Sequence, residues 1–192
     1  MTPRAETPMN FDDAYDMLCV RKGSLEEDKR FIGDDGPEYR GFTQKWNPGF
    51  DVMTMTPEEH KLAVEIIYWD RLFGQFESNG CDNCCIKPKK LAQGVAFPIF
   101  AMAFNAGHED AVRLAEHTNP FAKESGILGP HLYSFLYGIE KPLDWWKPKD
   151  LSGIISPNSY YFQCRMKYAS HEKEKGLLNR LAKIDAWLRE EV

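Results

Sequence analysis

Three groups of side chains in this 192-residue sequence have the types and spacing to do chemistry. The first is Cys81-Asp82-Asn83-Cys84-Cys85, whose Cys-x-x-Cys spacing suits zinc or redox chemistry. A structural zinc takes four ligands, commonly as two pairs. No second Cys-x-x-Cys or His-x-x-x-His occurs here, so His60 or Cys164 would have to complete the set across the fold. With five cysteines, an odd number, free thiols or an incidental disulfide are the default, and no metal or other cofactor is expected. The second group is the acidic run Glu26, Glu27 and Asp28 with Asp34 and Asp35 behind it; it is either a source of carboxylates for a site or a solvated acidic loop. The third is aromatic and polar: Thr43, Tyr68, Trp69 and Asn105. The histidines are scattered, no glycine-rich phosphate loop occurs, and no Ser-His-Asp order can be read.

The elements that must position these groups are mainly helical. Residues 95–106 form the central stretch, with Phe97, Phe100, Met102 and Phe104 around small Ala96, Ala101 and Ala103. A helix apolar all round is a buried one, and this one is too short to cross a bilayer, which takes about 20 apolar residues. Pro98 fits in a first helical turn, so the helix is expected to begin near Phe97. Asn105 is then either the first polar group presented to a cleft or a C-terminal cap beside Gly107.

Residues 1–9 read as a flexible arm. Asn10 caps a helix carrying Phe11, Ala14, Tyr15 and Leu18, with Asp12 and Asp13 in its first turn. The charged, glycine-dense residues after Gly23 read as a long loop or small hairpin. Thr56-Pro57-Glu58-Glu59 is a helix start that puts Leu62, Ile66, Trp69 and Phe73 on one face. A second helix starts at His108-Glu109-Asp110, with Val112, Leu114 and Ala115 inward, and Pro130 opens a short one through Leu132, Phe135 and Leu136. The expected organisation is a mainly α domain over residues 10–140, followed by a linker and a C-terminal helical region over 141–192. A composition 43% hydrophobic and 13% aromatic can build its core, and a net charge of −5 argues against a nucleic-acid partner. The first ten residues lack the apolar run of a secretory signal, and no stretch is a transmembrane candidate.

Six stretches, in order, resemble the phage-type N-acetylmuramidases of glycoside hydrolase family 108, which carry a peptidoglycan-binding-like C-terminal region. Phe11-Asp12-Asp13-Ala14-Tyr15 looks like the family's opening helix, and Gly41-Phe42-Thr43, behind Asp34-Asp35-Gly36-Pro37, is similar to the end of its substrate loop. Tyr68-Trp69-Asp70 matches its Tyr-Trp-Asp signature. Phe104-Asn105-Ala106-Gly107, followed by Ala111-Val112, resembles its Asn-Ser-Gly helix junction, Gly126-Ile127-Leu128-Gly129-Pro130 its Asp-Gly-x-x-Gly-Pro turn, and Gly176-Leu177-Leu178-Asn179-Arg180 its closing Gly-Trp-Leu-x-Arg helix. The resemblance implies a lysozyme-like helical fold, peptidoglycan glycan strands as ligand, and a setting in the infected bacterial cytoplasm or the virion, with virion or host proteins as further partners.

The sequence departs from this family at the catalytic glutamate. The family's Glu-Gly-Gly-Tyr falls here on Lys22-Gly23-Ser24-Leu25. A lysine with an ordinary pKa of about 10.4 is a poor proton donor at neutral pH. The resemblance therefore implies a scaffold degenerate in catalysis that acts as a binding or structural protein. The alternative is an active enzyme in which Glu26 or Glu27 replaces the acid and Asp35 or Thr43 helps to place water. In either case Thr43, Tyr68 and Trp69 could line a sugar groove, since aromatic faces suit sugar rings; for Trp69, plain core packing is an equal alternative on helical spacing.

Overall fold

A computed structural model describes residues 8–18, 30–33, 35–74, 76, 90–116 and 125–137. Lys22, Glu26, Glu27, Asp34, the cysteines and the expected C-terminal region over 141–192 lie outside the described residues. Helix makes up 60% of what is described, so the chain is mainly α, with one small sheet.

Helix α1 (Phe11–Asp16) begins where its cap dictates: Asn10 Oδ1 accepts the Asp13 N–H at 2.8 Å. Just before it, the end of the expected arm is tied down. Pro8 bridges Ala92, Met9 N–H donates to the Leu91 carbonyl at 2.8 Å, and Met9 is wholly buried.

Where a loop or single hairpin was expected, three antiparallel strands form a meander: β1 (Arg30–Gly33), β2 (Gly36–Tyr39) and β3 (Phe42–Thr43). Arg40 and Gly41 join β2 to β3, at φ +48 and +78. A two-residue turn with both φ values positive is the I′ type, whose twist matches that of the flanking strands. Glycine adopts it freely, whereas arginine is out of its usual region there. The turn pairs Tyr39 with Phe42, and both side chains are buried.

Helix α2 (Pro57–Val64) starts with a full capping box. Thr56 Oγ1 accepts the Glu59 N–H at 3.2 Å, and the Glu59 carboxylate accepts the Thr56 N–H at 2.8 Å. Thr56→Ala should cost about 1 kcal/mol, read as a lower midpoint in urea with an unchanged slope.

The helix then continues as a π-helical segment, Glu65–Gly74, and this corrects the expected face. The wider i→i+5 turn rotates the chain, so burial passes from His60 and Val64 to Trp69 and Phe73, while Leu62 and Ile66 are both 56% exposed.

Helix α3 (Gln93–Ala106) is the centre of the molecule, and every residue from 93 to 104 is buried. It packs on α1, on the π segment and on α4 (His108–Glu116). It starts a turn earlier than expected, at the Ala92 cap, so Pro98 lies inside it. Proline there offers no N–H to the carbonyl four residues back, and the apolar surroundings offset that loss through the burial of Phe97, Ile99 and Phe100. Gly107, at φ +103, closes the helix by donating its N–H to the Ala103 carbonyl at 2.9 Å.

Helix α4 buries Ala111, Val112 and Ala115. At its end the buried Glu116 carboxylate accepts the N–H groups of Ser125 at 2.8 Å and Gly126 at 3.2 Å, together with the Ser125 hydroxyl. That carboxylate fixes the turn leading into α5 (Pro130–Tyr137), which packs on α4. Among the described residues no helix is long and apolar enough to cross a membrane.

Candidate functional site

Tyr68 is the residue on which separate parts of the chain converge. It projects from the π segment, half-buried, toward three neighbours. The Phe42 ring on β3 stands edge-on at 6.4 Å, the Phe104 ring near the end of α3 at 5.2 Å, and the His108 ring, at the start of α4, stacks parallel at 5.5 Å with an interplanar angle of 5°. The Asn47 side-chain amide lies near its hydroxyl. Burial pushes the Tyr68 pKa up, with the Asn47 amide opposing it. At neutral pH the phenol therefore keeps its proton and can both donate and accept.

Asn47 is itself held in place: its N–H donates to the Thr43 carbonyl at 3.2 Å, and its Nδ2 donates to the same carbonyl at 3.1 Å. Thr43 thus reaches the cluster through its backbone, from the last strand of the meander. Asn105 sits one residue beyond Phe104 and donates through Nδ2 to the Ala101 carbonyl of its own helix at 2.6 Å. It is half-buried, and the cap is Gly107 rather than Asn105. His108 has its pKa lowered, chiefly by burial and then by the charge of Arg71, so the stacked imidazole is neutral at pH 7.

The remaining expected residues fall elsewhere. Asp35 lies on the exposed β1–β2 turn, its Oδ1 2.6 Å from the Lys45 ammonium. Trp69 is 2% exposed, with Phe73, Phe100 and Phe11 centred 4.8, 5.4 and 5.9 Å from it. Of its two readings the packing one describes its position: a ring enclosed on this scale has no face left for a ligand. Tyr68 and Trp69 are adjacent on one helix, so when one faces the core its neighbour turns away from it.

Sequence reasoning missed His60 as a structural centre. It is wholly buried, and its Nδ1 shares a 2.7 Å hydrogen bond with the Tyr15 hydroxyl. Tyr39, Phe42 and Tyr15 surround it with ring centroids at 5.4, 5.6 and 5.7 Å. It joins α1, the meander and α2 in one contact; the cysteines with which it would hold a zinc ion lie outside the described residues. Among the described residues no group of three His, Cys, Asp or Glu side chains is placed to hold a metal ion.

Burial, and then the charge of Arg40, lowers the His60 pKa from 6.5 to about 4. The unfolded chain therefore binds this proton first as pH falls. Stability from this group is complete above the unfolded value of 6.5 and drains away as pH drops toward the folded value of about 4. The loss from about pH 7 to about pH 4.5 should be roughly 2 to 3 kcal/mol. Urea titrations at the two pH values, compared with His60→Gln, isolate it: the variant should lose that much less on acidification.

The cluster therefore gathers a phenol, an amide and a neutral imidazole at the joint between the meander and the helices. It can donate and accept hydrogen bonds beside an aromatic edge. No protein-family model matches the chain, and no curated protein matches it.

Proposed function

We propose that this chain is a muramidase-like protein of a bacteriophage or prophage, built on a lysozyme-like helical scaffold, that binds peptidoglycan glycan strands without cleaving them. One observation carries this reading: segments of the chain that resemble the family's motifs meet at the Tyr68 ring. They are the Phe42-Thr43 strand, the Tyr68-Trp69-Asp70 segment and the Phe104–Gly107 junction, which are far apart in sequence. The donors and acceptors around that ring suit the hydroxyl and acetamido groups of an amino-sugar polymer. Lys22 at the family's acid position favours binding over hydrolysis. Its role is then structural or adhesive, in the infected cell or the virion.

Co-sedimentation with purified cell-wall sacculi tests this reading. The protein should pellet with the sacculi at low and moderate salt, and Tyr68→Phe, which removes only the hydroxyl, should weaken pelleting with little change in stability. A wild type that stays wholly in the supernatant would overturn it.

A further inference from the structure

Residues 44–52 form a loop whose polar groups are largely used internally. Gln44 Nε2 donates to the Asn47 carbonyl at 3.4 Å and to the Phe50 carbonyl, while its Oε1 accepts the Val52 N–H at 3.0 Å. The Asn47 N–H also reaches the Gln44 carbonyl at 3.2 Å, and the Phe50 N–H returns to the Asn47 carbonyl at 3.2 Å. On this pinned loop Trp46 is 67% exposed.

Single exposed apolar residues need no explanation, but this indole is also oriented. The Lys45 ammonium stands 4.9 Å from its ring centroid and is itself held 2.6 Å from Asp35 Oδ1. A cation attracted to a ring approaches its face, so the chain Asp35–Lys45–Trp46 fixes one side of the indole and leaves the rest to solvent. Holding a large aromatic out of the core forgoes the burial that such side chains normally supply. The pinned loop lowers the ordering cost of a contact made there, which favours binding by a small patch.

We propose that Trp46 is a stacking platform for the ring of an N-acetylated amino sugar, with the Lys45 ammonium as donor and the Asp35 carboxylate as acceptor for the sugar's polar groups. The platform rests on the wall-binding reading above and extends it: Trp46 precedes Asn47, whose amide lies near the Tyr68 hydroxyl and is held by the Thr43 carbonyl, so one pinned loop carries both residues. A pyranose offers an apolar C–H face to an indole and a rim of hydroxyls to charged neighbours, which is the combination present here. The same ring chemistry occurs in peptidoglycan and in chitin-type oligomers, and the test separates them.

The probes are purified sacculi, by co-sedimentation, and N-acetylglucosamine tetramer, by saturation-transfer NMR, with wild type, Trp46→Ala and Trp46→Phe in the full chain. Near-UV circular dichroism establishes that the variants are folded, as expected for so exposed a site. Trp46→Ala should weaken binding to both probes about tenfold or more, with Trp46→Phe between it and wild type. Binding of both probes at unchanged affinity in Trp46→Ala overturns the platform and leaves the wall-binding reading standing. Trp46-dependent binding of the tetramer alone supports the platform and overturns the wall as its source. Trp46-dependent binding of sacculi with no response to the tetramer overturns the sugar-ring assignment in favour of a contact with the stem peptide. A wild type that binds neither probe overturns both readings.

Discussion

Trp69→Ala should destabilise the protein by about 3 to 5 kcal/mol, the usual cost of truncating a fully packed aromatic. Its ring sits among Phe11, Phe73 and Phe100, where α1, the π segment and α3 meet, and truncation would leave a cavity at the joint of three elements. Against a total stability of about 5 to 15 kcal/mol this is a large fraction. It corresponds to a fall in Tm of about 6 to 20 °C for a chain of this size. Tyr68→Phe, one residue earlier, should shift Tm by only a degree or two and act on ligand binding. Thermal unfolding of the two variants therefore separates core from rim. Equal losses in both would mean that Tyr68 is as structural as Trp69.

Where a local signal exists, the sequence carries it. Asn10 and Thr56 each accept the N–H of the residue three positions on, as their types and spacing predict, and the apolar stretch around Phe100 is the buried central helix. What escaped the sequence depends on tertiary context. The π segment takes more residues per turn than an α-helix, so 3.6-residue spacing carried through it placed Leu62 and Ile66 inward when both are exposed. Pro98 reads as a helix start because of its missing N–H; in this structure the packing around it outweighs that local preference. The Arg40-Gly41 turn was hidden because arginine is an uncommon occupant of positive φ.

The candidate site was partly legible. Of the residues named from the motifs, Tyr68 stands among the rings of Phe42, Phe104 and His108, Thr43 reaches Asn47 through its backbone carbonyl, and Asn105 turns its amide back onto its own helix. Asn47 and His108 were not singled out as site residues, since an asparagine before proline and a histidine at a helix start have ordinary structural roles. His60 gave even less signal: its importance comes from Tyr15, Tyr39 and Phe42, which only the folded chain brings around it.

On the proposed reading, in which Lys22 stands at the family's acid position, the largest functional effect is expected there. A cation about 5 Å from a developing oxocarbenium ion, at an effective dielectric near 20, raises the barrier by about 3 kcal/mol, roughly two powers of ten in rate. Loss of the general acid removes a further factor of about 10² to 10⁴. Together these reach about four powers of ten or more, close to the full benefit of acid catalysis. Lys22→Glu reverses both at once, exchanging the opposing charge for a favourable one and supplying a carboxyl that can hold a proton. It should therefore restore hydrolysis if the proposed scaffold retains the groove.

The central claim is that this is a muramidase-like scaffold with its acid replaced. It is tested most directly by the fall in turbidity of outer-membrane-permeabilised bacteria treated with wild type, Lys22→Glu, Glu26→Gln and Glu27→Gln. The predicted result is a flat trace for wild type and for both glutamine variants, with clearing by Lys22→Glu. Clearing by wild type that disappears in Glu26→Gln or Glu27→Gln would contradict the account, because the chain would then be an active enzyme with a relocated acid.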